Sequence, residues 1–121
     1  MNETFFFDTY ALIEIIRGNQ KYIKYSQVRA ITTIFNISEL NYILKKEHPK
    51  KVADEFTNKY KSCTIKVLWE DIISAMDLKT KHRNLSIPDA IGYTVAKRYN
   101  VKFLTGDEDF KDFDNVEFVK K

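Results

Sequence analysis

An α/β fold, with a mostly parallel sheet of four to five strands between layers of helices, is predicted by three features of this chain. Short apolar runs alternate with stretches whose apolar residues recur at helical spacing. The opening Thr4-Phe5-Phe6-Phe7 is a continuous apolar run that stops at Asp8, the pattern of a strand buried on both faces. Only three Gly and two Pro occur in 121 residues, too few for a turn-rich all-β design. Strands that alternate with helices need crossover connections, and those make neighbouring strands parallel.

The elements follow in order. After the first strand, Leu12, Ile13, Ile15 and Ile16 cluster on one side of a helix that Gly18 stops. Residues 19–27 are polar with interspersed Tyr and stay open between loop and short helix. Val28 to Thr33 forms a second strand, and Asn36-Ile37-Ser38-Glu39 opens a helix carrying Leu40, Ile43 and Leu44. Pro49 breaks that helix, and another runs through Val52, Ala53 and Phe56 to Tyr60. Ser62 to Leu68 alternates as a third strand. Trp69 to Leu78, with Ile72, Ile73 and Met76, is helical, and Lys79 to Asn84 is a basic loop. Ser86-Ile87-Pro88-Asp89 starts a helix ending near Asn100. Val101 to Leu104 and Val116 to Val119 complete the sheet.

The totals set limits. The length fits one domain spanning residues 1–121. Hydrophobic residues make up 44% and aromatic residues 14%, enough for a packed core. A formal charge of +3 and a pI near 8.9 suit an anionic partner without identifying one. Cys63 is alone, which excludes an intramolecular disulfide and a Cys-rich zinc site, and its alternating surroundings predict a buried thiol. No apolar run approaches 18 residues and the N-terminus lacks a basic leader, so a soluble, cytoplasmic protein with no membrane partner is expected.

Four acids carry the chemistry. In a parallel α/β sheet, ligands bind at the edge where the strands end. Asp8 ends the first strand and Asp107 follows the strand Val101–Leu104. Glu39 lies at the start of the helix leaving the second strand. Asp89 opens the helix that delivers the chain to the start of the next strand, so it begins beside the others. Converging carboxylates repel, and a cation removes that repulsion. Oxygen ligands without His or Cys point to Mg²⁺ or Mn²⁺, and such ions suit phosphodiester hydrolysis. Each acid also has a plainer reading. Asp8 is placed to cap the first helix, Asn36-x-x-Glu39 and Ser86-x-x-Asp89 have capping-box spacing, and Asp107 is placed to brace the turn before Phe110. The metal reading rests on all four arriving at one edge.

Four segments together resemble the PIN domain family, in its short toxin branch of VapC-like ribonucleases from toxin–antitoxin pairs. They are Phe5-Phe6-Phe7-Asp8-Thr9 with Leu12 to Asn19, Thr33-Ile34 through Ile37-Ser38-Glu39-Leu40, Ile87-Pro88-Asp89-Ala90-Ile91, and Leu104-Thr105-Gly106-Asp107-Glu108-Asp109-Phe110. The resemblance covers essentially the whole chain and implies a three-layer α/β/α sandwich. It further implies that Asp8, Glu39, Asp89 and Asp107 are the metal-binding and catalytic acids, with Asp109 as an extra ligand and Thr9 and Thr105 in support. A homodimer, a cognate antitoxin whose tail enters the site, and a tRNA, rRNA or mRNA substrate are implied in the same way. Tyr10 departs from the family, which often has a small or polar residue there.

Other residues stay open. Lys79, Lys81, His82 and Arg83 would grip RNA phosphates or form a solvated loop. His82 is more simply a surface residue than a general acid, and His48 a helix-end residue. Glu70-Asp71 suits a helix start or the acidic edge, and Glu14 is expected to face solvent or Arg17. Tyr22, Tyr25, Tyr42 and Tyr60 suit base stacking or a partner's groove, with core and interface packing the commoner use, and the apolar early helices suit dimer contacts. A phosphatase with Asp8 as nucleophile is disfavoured by Tyr10 two residues on. Nucleotide binding lacks any Gly-rich loop. The remaining alternatives are a housekeeping RNA-processing nuclease and a scaffold that keeps the fold without the reaction.

Overall fold

The computed structural model describes residues 3–121. Four strands form one parallel sheet in the order β2-β1-β3-β4: β1 Thr4–Phe7, β2 Arg29–Ile31, β3 Lys102–Thr105 and β4 Val116–Phe118. Strand β1 sits centrally, with Phe6 opposite Ile31 on one side and Phe103 on the other. Side chains alternate across a strand, so the three phenylalanines serve both faces. Phe5 and Phe7 join Leu12, Tyr22, Tyr25, Leu40, Leu44 and Ala53 in one cluster. Phe6 joins Ala75, Ile91, Val95, Phe103 and Phe110 in the other. Helices α1 Thr9–Ile16, α2 Ile34–Glu47 and α3 Lys50–Lys59 cover the first face, and α4 Trp69–Lys81 and α5 Ile87–Arg98 the second. The result is the expected three-layer α/β/α arrangement.

Local signals explain most boundaries. Gly18, just past α1, has φ +73°, a left-handed conformation that glycine adopts without strain. Pro49 takes the position before α3, where its missing N–H has no partner to lose. Residues Gln20–Gln27 form a 3₁₀ helix that buries Tyr22 and Tyr25.

Three expectations need correction. Ser62 to Leu68 is not a strand. Lys61–Cys63 is a 3₁₀ turn, and pairing with the sheet shrinks to a single bridge between Thr32 and Thr64. The alternation there reflects partial packing of Ile65 and Val67 against the second cluster, without a ladder. Cys63 is accordingly half-buried. Lys79, Thr80 and Lys81 belong to the last turn of α4, since basic residues suit a helix C-terminus. The third concerns Glu14: it meets Arg17 as expected, but it is buried and not solvent-facing, and it also accepts from the Asn19 amide.

The last residues fold back as a belt. The Tyr22 hydroxyl donates to the Val119 carbonyl, the Lys21 ammonium to that of Lys120, and the Lys121 N–H to the Tyr10 hydroxyl. Lys120 also pairs with Glu108. Among the described residues, no helix is long and apolar enough to cross a membrane.

Candidate functional site

A cleft of about 260 Å³ opens at the edge where the strands end, and it is lined by Asp8, Glu39, Asp89, Asp107 and Asp109 together with Thr9, Tyr10, Ile13, Ile43, Asn84 and Ser86. The five predicted acids therefore share one wall, and no Lys, Arg or His is among the lining residues.

Each segment delivers its acid through a local structure of its own. Asp8 is the N-cap of α1, and its Oδ1 accepts from the Ala11 N–H at 2.8 Å. Asp89 lies in the first turn of α5 and forms a reciprocal box with Ser86. Its N–H donates to Ser86 Oγ at 3.1 Å, and its Oδ2 accepts from the Ser86 N–H at 3.2 Å. Asp107 caps the short turn Glu108–Phe110, with Oδ1 accepting from the Asp109 N–H at 3.0 Å. The capping and site readings of these three acids thus describe the same geometry. Glu39 differs. Helix α2 starts earlier than expected, with Thr33 as its cap, so Glu39 lies in the second turn and Asn36 is no cap.

Thr105 is fully buried, and its Oγ1 accepts from the Asp107 N–H at 3.1 Å. Thr9 shares weak hydrogen bonds of 3.4 Å with Asn36, both to its carbonyl and from its side-chain amide. Asn36 in turn accepts from the Thr33 hydroxyl at 2.7 Å. This buried trio joins the starts of α1 and α2, which carry Asp8 and Glu39. Sequence reasoning took Asn36 for a helix cap and gave Asn84 no place in the cleft. The spacing Thr33-x-x-Asn36 was a usable cap signal for the first, and nothing in the chain singled out the second.

Burial dominates the electrostatics of the acids, and their mutual repulsion adds to it. Burial, at 1% exposure, pushes the Asp8 carboxyl well above its usual range. The Thr105 hydroxyl and Ala11 N–H oppose that shift, and the charges of Asp89 and Asp107 add to it. Burial likewise raises Asp89 to about 6 against the opposing Ser86 contacts, with Glu39 and Asp107 pushing the same way. A raised carboxylate costs stability when ionised. Between its ordinary 3.8 and about 6 the folded state holds more protons than the unfolded one, so stability falls as pH rises through that window. The cost from Asp89 is complete above pH 6 and amounts to about 3 kcal/mol. Metal-free protein is therefore expected to melt at a lower temperature at pH 7 than at pH 5, and the difference should shrink in Asp89→Asn. An unchanged pH profile in that variant would refute the assignment.

A divalent ion fits this donor set. The lining residues supply hard carboxylate and hydroxyl oxygens, uncompensated by any cation. Among the described residues no three His, Cys, Asp or Glu side chains are already closed around one point.

The basic residues are placed elsewhere. Lys79, Lys81, His82 and Arg83 do not line the cleft. Lys79 donates to the carbonyls of Arg83 and Leu85, closing the turn between α4 and α5. His82 ends α4 and packs on Phe113 with ring centroids 4.8 Å apart. Asp71 is not at the acidic edge. It is buried and held by Arg98, at the far end of α5 from Asp89.

Gly106 sets how closely the Asp107 loop packs. A Cβ there would lie 2.3 Å from the Tyr10 ring and 2.4 Å from the Val119 carbonyl oxygen. That strand is anchored by the Val119 N–H donating to Thr105 at 2.8 Å, so the backbone cannot yield cheaply. Gly106→Ala is expected to destabilise by about 2 kcal/mol in urea unfolding. A loss below about 0.5 kcal/mol, the range of neutral surface changes, would show that the loop relaxes.

The fold and cleft define a small parallel α/β domain with an acidic centre at the ends of its strands. The PIN domain model matches residues 5–116, and the chain belongs to the PIN domain family, a family of nucleases. No curated protein sequence matches significantly. Among solved structures, the chain is similar to a toxin–antitoxin complex from Klebsiella pneumoniae (TM-score 0.76, 19% identity, 97% of this chain and 99% of that one). It is also similar to VapBC2 from Rickettsia felis bound to a DNA fragment from its promoter (0.73, 15%, 97% and 98%). A protein from Pyrobaculum aerophilum gives 0.70, with 19% identity over 98% and 92%. At these identities the likeness concerns the fold.

Proposed function

We propose that this chain is a metal-dependent endoribonuclease, a toxin of a toxin–antitoxin pair that hydrolyses RNA phosphodiester bonds with Mg²⁺ or Mn²⁺. One observation carries the reading: five carboxylates line one cleft that has no cationic side chain in its wall. Asp8, Glu39, Asp89 and Asp107 would hold the ion, with Asp109 at the rim. When bound, the ion supplies charge neutralisation at the scissile phosphate and activation of water. The protein's own part is to fix the acids. Ala11, Ser86 and Asp109 each donate an N–H to one carboxylate oxygen, and Thr105 links the Asp8 and Asp107 segments. Asn84 and Ser86 border the cleft and would contact the strand being cut, with Arg83 one residue away for a flanking phosphate.

The toxin role draws on the Klebsiella structure, described as a toxin–antitoxin complex, and on the likeness to VapBC2 from Rickettsia felis. By analogy with the Klebsiella complex the partner is a cognate antitoxin, and the resemblance to the family's toxin branch further implies a second copy of this chain. The test is cleavage of total RNA by purified, antitoxin-free protein with Mn²⁺ and with EDTA, beside a calorimetric Mn²⁺ titration. Cutting that EDTA stops supports the proposal. Folded protein that neither binds Mn²⁺ nor cuts overturns it in favour of a scaffold.

A further inference from the structure

The acids do not have the cleft to themselves. Tyr10, Ile13 and Ile43 line it too, and all three belong to the first hydrophobic cluster or pack against it, so the core surfaces beside the carboxylates. Tyr10 is the part of this apolar strip that is held still. Its ring lies over the Gly106 backbone, where an added Cβ would come within 2.3 Å of it. Its hydroxyl accepts from the Lys121 N–H at 3.1 Å, and the Tyr22 ring packs alongside with centroids 6.4 Å apart. Asp8 stands two residues before Tyr10, and Gly106 directly precedes Asp107. The half-buried ring is therefore fixed between two of the acid-bearing segments.

We infer that Tyr10 is a base-stacking residue that holds one unpaired nucleotide beside the scissile phosphate, with Ile13 and Ile43 flanking its ring. Contacts to phosphate ordinarily dominate affinity for nucleic acid, yet the cleft wall has no Lys, Arg or His to make them. Grip on the strand at this point must then come from a base. Stacking suits a wall of this kind, because every base has a π-face and no hydrogen-bond pattern has to be matched. A ring already fixed by Gly106 and Lys121 also gives up little rotamer freedom when the base arrives. The base in question has to leave its own stack, so the site takes single strands and loops and refuses a continuous duplex.

This inference rests on the nuclease reading above and adds the part of the substrate that the site grips. The experiment has two arms. In the first, random-sequence single-stranded RNA carrying 5-iodouridine in place of uridine is irradiated on the unaltered protein, with Ca²⁺ to slow hydrolysis. The cross-linked residue is then identified by mass spectrometry. A stacked aromatic ring is the favoured partner of the excited base, so the adduct is expected on Tyr10. In the second arm, cleavage of ordinary RNA of the same kind with Mn²⁺ is compared for the parent, Tyr10→Leu and Tyr10→Phe. Tyr10→Leu stays apolar but removes the ring, and KM should rise about tenfold, the effect of losing one stacked base, with kcat within about threefold of the parent. Tyr10→Phe drops the Lys121 contact, keeps the ring, and should recover most of the lost affinity. An adduct elsewhere, or a KM that Tyr10→Leu leaves unchanged, overturns the inference and leaves the strip to a protein partner, while cleavage by the parent keeps the nuclease reading standing. A defect that Tyr10→Phe shares traces to the Lys121 contact and overturns it as well. Parent protein that neither binds nor cuts RNA removes both readings together. The first arm needs no variant, so misfolding of Tyr10→Leu would not shield the inference.

Discussion

Asp8→Asn is expected to reduce RNA cleavage by about 100-fold or more, as loss of a metal ligand would, and also to raise the melting temperature of the metal-free protein. The two effects have opposite signs because Asp8 has two duties. As a cap it needs only an acceptor oxygen for the Ala11 N–H, and Asn provides one. As a ligand it needs charge, which Asn lacks. Removing that charge also removes the burial penalty that pushes the Asp8 carboxyl upward. Asp89→Asn should behave alike, since an amide oxygen can still accept from the Ser86 N–H. The measurement is a cleavage time course with Mn²⁺ and a thermal melt in EDTA for each variant. A variant that cuts at the parental rate loses its place in the site. A variant that is inactive but less stable without metal would mean that the acid is chiefly structural.

Arg98→Ala should cause a large loss of stability, about 3 kcal/mol, because it strips the counter-ion from a buried carboxylate even though the Arg98 side chain is itself 35% exposed. The Asp71 side chain is 3% exposed, and Arg98 binds it through Nε at 2.7 Å and Nη2 at 2.8 Å while also donating to the Lys66 carbonyl. Burial alone would raise the Asp71 carboxyl. The guanidinium and the Leu68 N–H outweigh it and hold the group below its ordinary value. Without Arg98, Asp71 is a buried charge without a counter-ion between α4 and α5. Arg98→Ala with Asp71→Leu should recover much of the loss. A single variant within 1 kcal/mol of the parent by urea unfolding would show that water reaches Asp71, as at a surface pair.

Much of this architecture was legible because local and tertiary signals agreed. The run Phe5-Phe6-Phe7 is apolar at every position since both faces of β1 are covered, and Asp8 stands where apolar packing gives way to the cleft. Chain order placed Asp8, Glu39, Asp89 and Asp107 at one edge, and the cleft gathers them with Asp109. The misreadings have physical causes. Ser62 to Leu68 alternates like a strand, but a period of two reports only which side chains are partly buried. It says nothing of whether a backbone partner is at hand. Arg17, three residues on, was a legible partner for Glu14, but nothing local reveals that Asn19 also folds back over it and buries it. The Asp71–Arg98 pair spans 27 residues, a separation across which single-chain patterns are silent.

The belt formed by the last residues has a mechanical meaning. It holds Tyr10, two residues from Asp8, and Glu108, directly after Asp107. Both acid-bearing segments are therefore moored to one short ribbon, which itself rests on the first hydrophobic cluster through Val119 and Tyr22. Anything that lifted this ribbon would slacken the cleft and the adjoining side of the first cluster together, as a drawstring moves both the mouth of a bag and the cloth beside it.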